Sequence, residues 1–108
     1  MNIIKAIDIS KNDKLYLVSN PIVAQRNTIK YLGKNKVLYR SNKPNKKYMI
    51  LDPINHEWVH FGDIEYEDFT KHKDQERRKR YLTRAKNIKG DWKDNKYSSN
   101  NLSMNILW

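Results

Sequence analysis

Residues 56–60, with the sequence HEWVH, match the H-E-x-x-H pattern of zinc peptidases. On a helix, the two histidines of this pattern lie about 6 Å apart on one face and can bind the same zinc ion. The flanking sequence does not favour a helix, because Pro53 precedes the motif, Gly62 follows it, and Trp58-Val59 favour a strand. On a strand, residues four apart lie about 13 Å apart, too far for two bonds of about 2 Å to one ion.

Other catalytic or metal-binding patterns are equally weak. The chain has no cysteine, and its third histidine, His72, follows a predicted turn. The acidic side chains of Asp63, Glu65, Glu67 and Asp68 could bind a divalent cation through oxygen. The simpler interpretation is that they neutralise the neighbouring basic segment. We therefore predict no catalytic residue, no metal site and no cofactor.

The arginines are concentrated in one segment, which holds four of the six in the chain. Arg77, Arg80 and Arg84 are spaced i, i+3 and i+7, so a helix places them on one side. Guanidinium groups bind phosphates and carboxylates through paired hydrogen bonds. The residues that we predict to contact nucleic-acid phosphates are Arg77, Arg78, Lys79, Arg80, Arg84 and Lys86. An alternative is that these arginines form salt bridges with the acidic residues 63–68, and the two roles can coexist.

The net charge of +10 is unevenly distributed along the chain. Residues 1–47 carry 11 basic and 2 acidic groups, residues 48–70 carry 6 acids and no lysine or arginine, and residues 71–96 carry 11 basic and 4 acidic groups. A field of this sign attracts polyanions at long range. Lys, Asn, Ile and Tyr, whose codons are AT-rich, make up 47 residues, so part of the lysine excess reflects base composition. The arginine cluster is therefore the more informative feature.

Hydrophobic periodicity and capping residues predict an α+β fold, in which a small antiparallel sheet carries a basic helix and a short C-terminal helix packed on it. We expect Asp68 to lie near the start of the basic helix and to pair with Arg77 or Arg78. The predicted elements are strands at 3–9 and 15–18, a helix from Pro21 to Gly33 with Asn20 as N-cap, and strands at 37–40, 48–51 and 58–61. They continue with a basic helix between Asp74 and Gly90 and a terminal helix at 102–108.

The predicted inward-facing side chains are Ile22, Val23, Ile29 and Leu32 in the first helix, Tyr81, Leu82, Ala85 and Ile88 in the basic helix, and Leu102, Ile106 and Leu107 in the last. Phe69, Tyr81 and Trp92 are also expected in the core, because most aromatic side chains of a small domain are buried.

The length of 108 residues fits a single domain, 1–108, in which residues 1–10 could form an arm. No apolar stretch approaches the roughly 20 residues of a membrane span. The first residues lack the apolar run of a signal peptide. We therefore expect a protein that is neither secreted nor bound to a membrane.

The C-terminal half has a combination of residues that is more specific than H-E-x-x-H. It consists of His60-Phe61-Gly62, Tyr66, Asp68-Phe69-Thr70, His72-Lys73-Asp74, Arg77-Arg78, Tyr81-Leu82, Arg84-Ala85 and Leu107-Trp108. With these elements, residues 46–108 resemble a group of short basic proteins of giant, mimivirus-like DNA viruses, which has relatives in some phages. The resemblance implies a viral protein of the virion or of the viral factory in the host cytoplasm.

The sequence therefore favours a non-enzymatic, virion-associated small basic protein that binds nucleic acid through phosphate contacts. The alternative is a minor capsid or cement protein whose basic surface contacts acidic viral structural proteins, with the first ten residues as an extended arm.

Overall fold

The protein has an α+β fold built on a three-stranded antiparallel sheet, as predicted, in a computed structural model that describes residues 3–108. The strands are β1 (Tyr39–Arg40), β2 (Lys46–Asp52) and β3 (Glu57–Asp63), in the order β1-β2-β3. The helices are α1 (Pro21–Leu32), α2 (Phe69–His72), α3 (Gln75–Lys86) and α4 (Ser99–Leu102), and α4 continues as a π-helical turn, Ser103–Leu107. Single 3-10 turns lie at Ala6–Asp8, Lys14–Leu17 and Asp91–Asp94.

One face of the sheet forms the core. Tyr48 and Ile50 of β2 pair with Phe61 and Val59 of β3. The first three belong to the main hydrophobic cluster, and Val59 packs against it. The period of two in a strand places Trp58 on the other face, where its ring meets that of Tyr39 edge-on at 5.4 Å.

Helix α1 begins and ends where the sequence predicts, but it buries a different face. The Asn20 side chain accepts hydrogen bonds from the first free amides of the helix, including Ile22 N–H at 3.1 Å. Ile22 and Ile29 remain 45% and 40% exposed, whereas Ala24 and Thr28 are fully buried. The prediction is therefore wrong for Ile22 and Ile29, whereas Val23 is half-buried and Leu32 is half-buried against the core cluster. This helix packs against the C-terminal helix, and the small side chains of Ala24 and Thr28 permit that approach.

The first predicted strands, 3–9 and 15–18, are also wrong, since both segments contain 3-10 turns. The Asp13 carboxylate accepts a hydrogen bond from Leu15 N–H at 2.9 Å. This local bond competes with strand pairing and favours a turn. The segment proposed as a possible arm contributes Ala6 and Ile9 to the hydrophobic core within its described part, residues 3–10.

Helix α3 starts as predicted and ends earlier. Asp74 caps it by accepting hydrogen bonds from Glu76 N–H and Arg77 N–H at 3.0 and 3.2 Å. The helix ends at Lys86 with Asn87 as its C-cap, so the predicted stop at Gly90 is wrong.

The apolar positions of α3 and of the terminal helix were predicted with different success. In the basic helix Ala85 is buried, but Ile88 lies beyond the helix and is 51% exposed. In the terminal helix the three predicted inward residues, Leu102, Ile106 and Leu107, are all buried. No helix in residues 3–108 is both long and apolar enough to cross a membrane.

A buried ion pair joins the sheet to α2. The Lys47 ammonium lies 3.1 Å from the Asp68 carboxylate, with the two side chains only 3% and 0% exposed. Asp68 also caps α2 by accepting hydrogen bonds from the Thr70 amide and hydroxyl, and Lys47 also donates to the main-chain oxygen of Tyr66. Burial lowers the pKa of Lys47, and the Asp68 carboxylate opposes this effect. The expectation that Asp68 pairs with an arginine of α3 is therefore wrong.

Buried hydroxyl groups extend this connection to α1. The Ser19 hydroxyl lies 2.7 Å from that of Tyr48 and 3.1 Å from that of Thr70. Thr70 also accepts a hydrogen bond from Asn20 N–H at 2.9 Å. The start of α1, strand β2 and α2 thus share one buried polar network, in which each group is satisfied only when the three elements are assembled.

We expect Lys47→Met to lower the free energy of unfolding by about 3–5 kcal/mol, because the Asp68 carboxylate is then buried without its partner. Lys47→Met combined with Asp68→Asn removes both charges and should restore part of that loss. Urea denaturation of the single and double variants measures both effects. Additive losses in the double variant, or a thermodynamically silent Lys47→Met, would contradict a coupled buried pair.

Candidate functional site

Helix α3, the end of β3 and the C-terminal helix enclose an open cleft of about 580 Å³. Arg77, Arg80 and Arg84 line its wall on the α3 side. Their i, i+3, i+7 spacing places them on one side of the helix, as predicted. Strand β2 adds Lys46 and the buried Lys47 to the lining.

The three arginines of the wall differ in what they contact. Arg77 lies 3.2 Å from the Glu67 carboxylate, in a pair whose side chains are 38% and 40% exposed. Arg80 and Arg84 are exposed and form no ion pair within residues 3–108. The alternative of salt bridges to residues 63–68 therefore applies to Arg77, while Arg80 and Arg84 keep their donors available.

The other predicted phosphate-binding residues lie away from the cleft. Arg78 is half-buried, donates a hydrogen bond of 2.6 Å to the main-chain oxygen of Trp108, and lies over the Phe69 ring at 5.4 Å. These contacts give Arg78 a packing role between α2, α3 and the end of the terminal helix. Lys79 and Lys86 are exposed on α3 outside the cleft lining.

Aromatic and apolar side chains form the floor of the cleft. The rings of Tyr81 and Trp108 stack at 4.2 Å with an angle of 9° between their planes. Burial raises the pKa of Tyr81, and a hydrogen bond with Ser103 opposes the shift. Phe61 of β3 is buried beside them. Tyr66, at the edge of this cleft, is 64% exposed.

The expectation that Phe69, Tyr81 and Trp92 are core residues is corrected, since all three are only half-buried. Phe69 packs against a guanidinium and an imidazole, Tyr81 lines the cleft, and the Trp92 indole N–H donates to the main-chain oxygen of Ile88 at 2.7 Å. Each ring thus packs at the edge of the fold against a polar group.

Gly62 lies in the cleft lining with a φ of 82°, a conformation that glycine adopts readily. A Cβ at this position would lie 2.8 Å from Leu107 Cδ1 and 3.1 Å from Lys47 Cδ. The sequence indicated Gly62 only as the end of a strand. Its additional role is to let the terminal helix approach the sheet.

The charge of the cleft lining is positive. Two acidic side chains, Asp63 and Glu67, face five cationic ones. Glu67 pairs with Arg77, and Asp63 accepts a hydrogen bond from Glu65 N–H at 2.9 Å. The sequence pattern did not indicate Lys46 and Lys47, because they join α3 only through the tertiary fold.

Residues 57–60 of the H-E-x-x-H motif lie on strand β3 and not on a helix, as predicted from the flanking residues. His56 occupies the preceding turn with a φ of 56°, and His60 lies in β3, where its Nδ1 shares a hydrogen bond of 2.7 Å with the Ser41 hydroxyl. In the described part of the chain, no three His, Asp or Glu side chains group so that they could hold a metal ion.

His72 lies between the rings of Phe69 and Trp108, at centroid distances of 6.0 and 5.1 Å. Its Nδ1 accepts a hydrogen bond from Asp74 N–H at 2.9 Å, so the neutral ring carries its proton on Nε2. That buried Nε2 has no hydrogen-bond partner in residues 3–108. Burial lowers the pKa of His72, and the Arg77 charge lowers it further.

Residues 36–85 match the model of a family described as a family of unknown function, DUF5754. The matched segment contains the whole sheet, α2 and nearly all of α3, and therefore the arginine wall of the cleft. Comparison with curated proteins and with solved structures gave no significant match.

We expect the folded protein to lose stability as the pH falls below about 6.5, the ordinary pKa of histidine. Because the folded-state pKa of His72 is lowered, the unfolded chain binds the proton first. The stabilisation from the neutral ring is complete above the unfolded pKa and is lost as pH falls through the folded one. His72→Phe should flatten this dependence, measured by urea denaturation between pH 7.5 and 5.

His60 contributes to the same pH dependence, because burial, with Lys43 and Lys46, lowers its pKa too. Some dependence should therefore persist in His72→Phe. An identical profile for His72→Phe and the original protein would contradict the role given to His72.

Proposed function

We propose that the protein is a non-enzymatic nucleic-acid-binding protein that contacts phosphates through the arginine wall of the cleft. The observation that carries this proposal is the pair Arg80 and Arg84, which are exposed in the lining of a positive cleft and make no ion pair in residues 3–108. Such guanidinium groups can bind phosphate oxygens through paired hydrogen bonds. Lys79 and Lys86, exposed on the same helix, add charge around the site.

The arrangement of the acidic residues supports this assignment. Asp68 is buried against Lys47, and Glu67 pairs with Arg77. Although these two acids lie close to α3 in the sequence, they do not neutralise Arg80 and Arg84. The net charge of +10 adds a long-range attraction for polyanions.

The composition of the cleft supports a binding role rather than catalysis. Its lining within residues 3–108 contains no histidine, and of its serines, Ser99 donates to the His60 main-chain oxygen and Ser103 bonds with Tyr81. A nucleophile activated by a neighbouring base is the usual signature of covalent catalysis. The lining instead combines arginine donors with aromatic rings.

The setting that we propose is the virion or the viral factory, in the host cytoplasm. It is supported by the resemblance of residues 46–108 to short basic proteins of giant DNA viruses. The partner there is the viral nucleic acid.

A second candidate, a minor capsid or cement protein, is favoured by one observation. Four exposed large hydrophobic side chains lie near the N-terminus: Ile3, Ile4, Ile7 and Leu17, which are 43%, 44%, 54% and 73% exposed. Where exposed apolar side chains form one contiguous patch, they are typical of protein contacts. An acidic viral structural protein would then be the partner of the basic surface.

We expect Arg80→Ala combined with Arg84→Ala to weaken nucleic-acid binding and to reduce its salt dependence. The slope of log K against log salt should become shallower by about 1.4 to 1.8, which corresponds to two lost phosphate contacts. Fluorescence anisotropy with labelled oligonucleotides between 50 and 200 mM salt measures this slope. The melting temperature should stay nearly unchanged, because both side chains are exposed.

The matched control is Arg26→Ala combined with Lys30→Ala, two exposed cations four residues apart on α1 and outside the cleft. It removes the same net charge and should change the slope less. Equal effects of the two double variants would show that charge alone matters and that the cleft wall has no special part. Absence of binding at low salt would exclude nucleic acid and favour the capsid or cement role.

A further inference from the structure

The size of the cleft fits a single unpaired nucleotide better than an intact duplex. Its volume of about 580 Å³ lies within the range of about 300–1,000 Å³ that is typical of pockets for small ligands. One nucleotide is a ligand of this class. The bases of a duplex are stacked and paired, so an intact duplex could only place its backbone across the mouth of the cleft.

The chemistry of the lining matches both parts of a nucleotide. Arg80 and Arg84 offer donors for a phosphate on one wall, and the floor next to them is aromatic. Proteins that bind single strands combine a cationic groove with aromatic side chains on which bases stack. Here the two features meet in one concave site.

Tyr66 is the aromatic ring placed to receive a base. Its side chain is 64% exposed in the lining, and its ring makes no aromatic or cation contact within the described residues. Its main-chain oxygen is bonded to Lys47 Nζ, which anchors the backbone while the ring stays accessible. The rings of Tyr81 and Trp108, by contrast, stack on each other, so one face of each ring is already covered.

We infer that the cleft receives one unpaired nucleotide of a single strand, with its base against Tyr66 and its phosphate on Arg80 and Arg84. This inference rests on the proposed function and adds a preference for single-stranded over duplex nucleic acid.

The test measures binding of Tyr66→Ala to a single-stranded oligonucleotide and to a hairpin duplex of the same length at one salt concentration. The original protein should bind the single strand more tightly than the duplex. Tyr66→Ala should reduce single-strand affinity by about 5- to 150-fold, the usual contribution of one stacked base, and should change duplex affinity little. Tyr66→Phe keeps the ring and is the matched control, which should retain binding.

A free nucleoside monophosphate distinguishes a strand from a soluble nucleotide as the occupant. It should compete far more weakly than the oligonucleotide at equal nucleotide concentration, because it lacks the neighbouring phosphates. Equal competition would identify a free-nucleotide site and overturn the inference.

Two further outcomes separate this inference from the proposed function. In the first, the Arg80 and Arg84 double variant weakens binding, but the duplex binds as tightly as the single strand, or Tyr66→Ala binds the single strand like the original protein. The inference then fails and the proposed function stands. If neither nucleic acid binds at low salt, both fail. A melting curve of Tyr66→Ala verifies that the variant folds. Loss of this side chain should not affect folding, because it is exposed.

Discussion

The buried pair of Lys47 and Asp68 is the interaction on which the rest of the structure depends. The Lys47 ammonium of the sheet and the Asp68 carboxylate at the start of α2 lie side by side in the interior, where both are shielded from solvent. Each charge is stable there only in the presence of the other, so the pair tolerates little displacement of α2 relative to β2. Since only Lys73 and Asp74 separate α2 from α3, fixing α2 also restricts where the arginine wall can lie.

The same pair explains how a chain with an acidic segment presents a basic site. Two of the acids that follow β3 are paired: Asp68 with Lys47 in the interior, and Glu67 with Arg77. Arginines one and two turns further along α3 lie beyond that compensation. The fold therefore separates paired charges, such as Lys47 and Asp68 in the interior, from the unpaired arginines of the cleft. The net charge of +10 does not show this difference.

Features encoded by neighbouring residues could be predicted from the sequence, and features that depend on distant residues could not. Asn20 and Asp74 cap helices through bonds to amides two and three residues ahead, so their signals are local. Lys47 and Asp68 are 21 residues apart, and no pattern indicates that a lysine among many is the buried one. The arginine spacing predicted one wall of the cleft. The floor could not be predicted, because it depends on the packing of Trp108 on Tyr81, which are distant in the sequence.

The cleft is assembled from two parts of the chain, one inside and one outside the segment that matches the family model. Its arginine wall lies within residues 36–85, the segment that matches the family model, whereas Leu107 and Trp108 of the floor lie outside it. A protein with only the matched segment would lack Leu107 and Trp108, and other residues would have to close that side of the cleft. The shape of the cleft, which limits what can fit there, therefore depends on residues outside the matched segment.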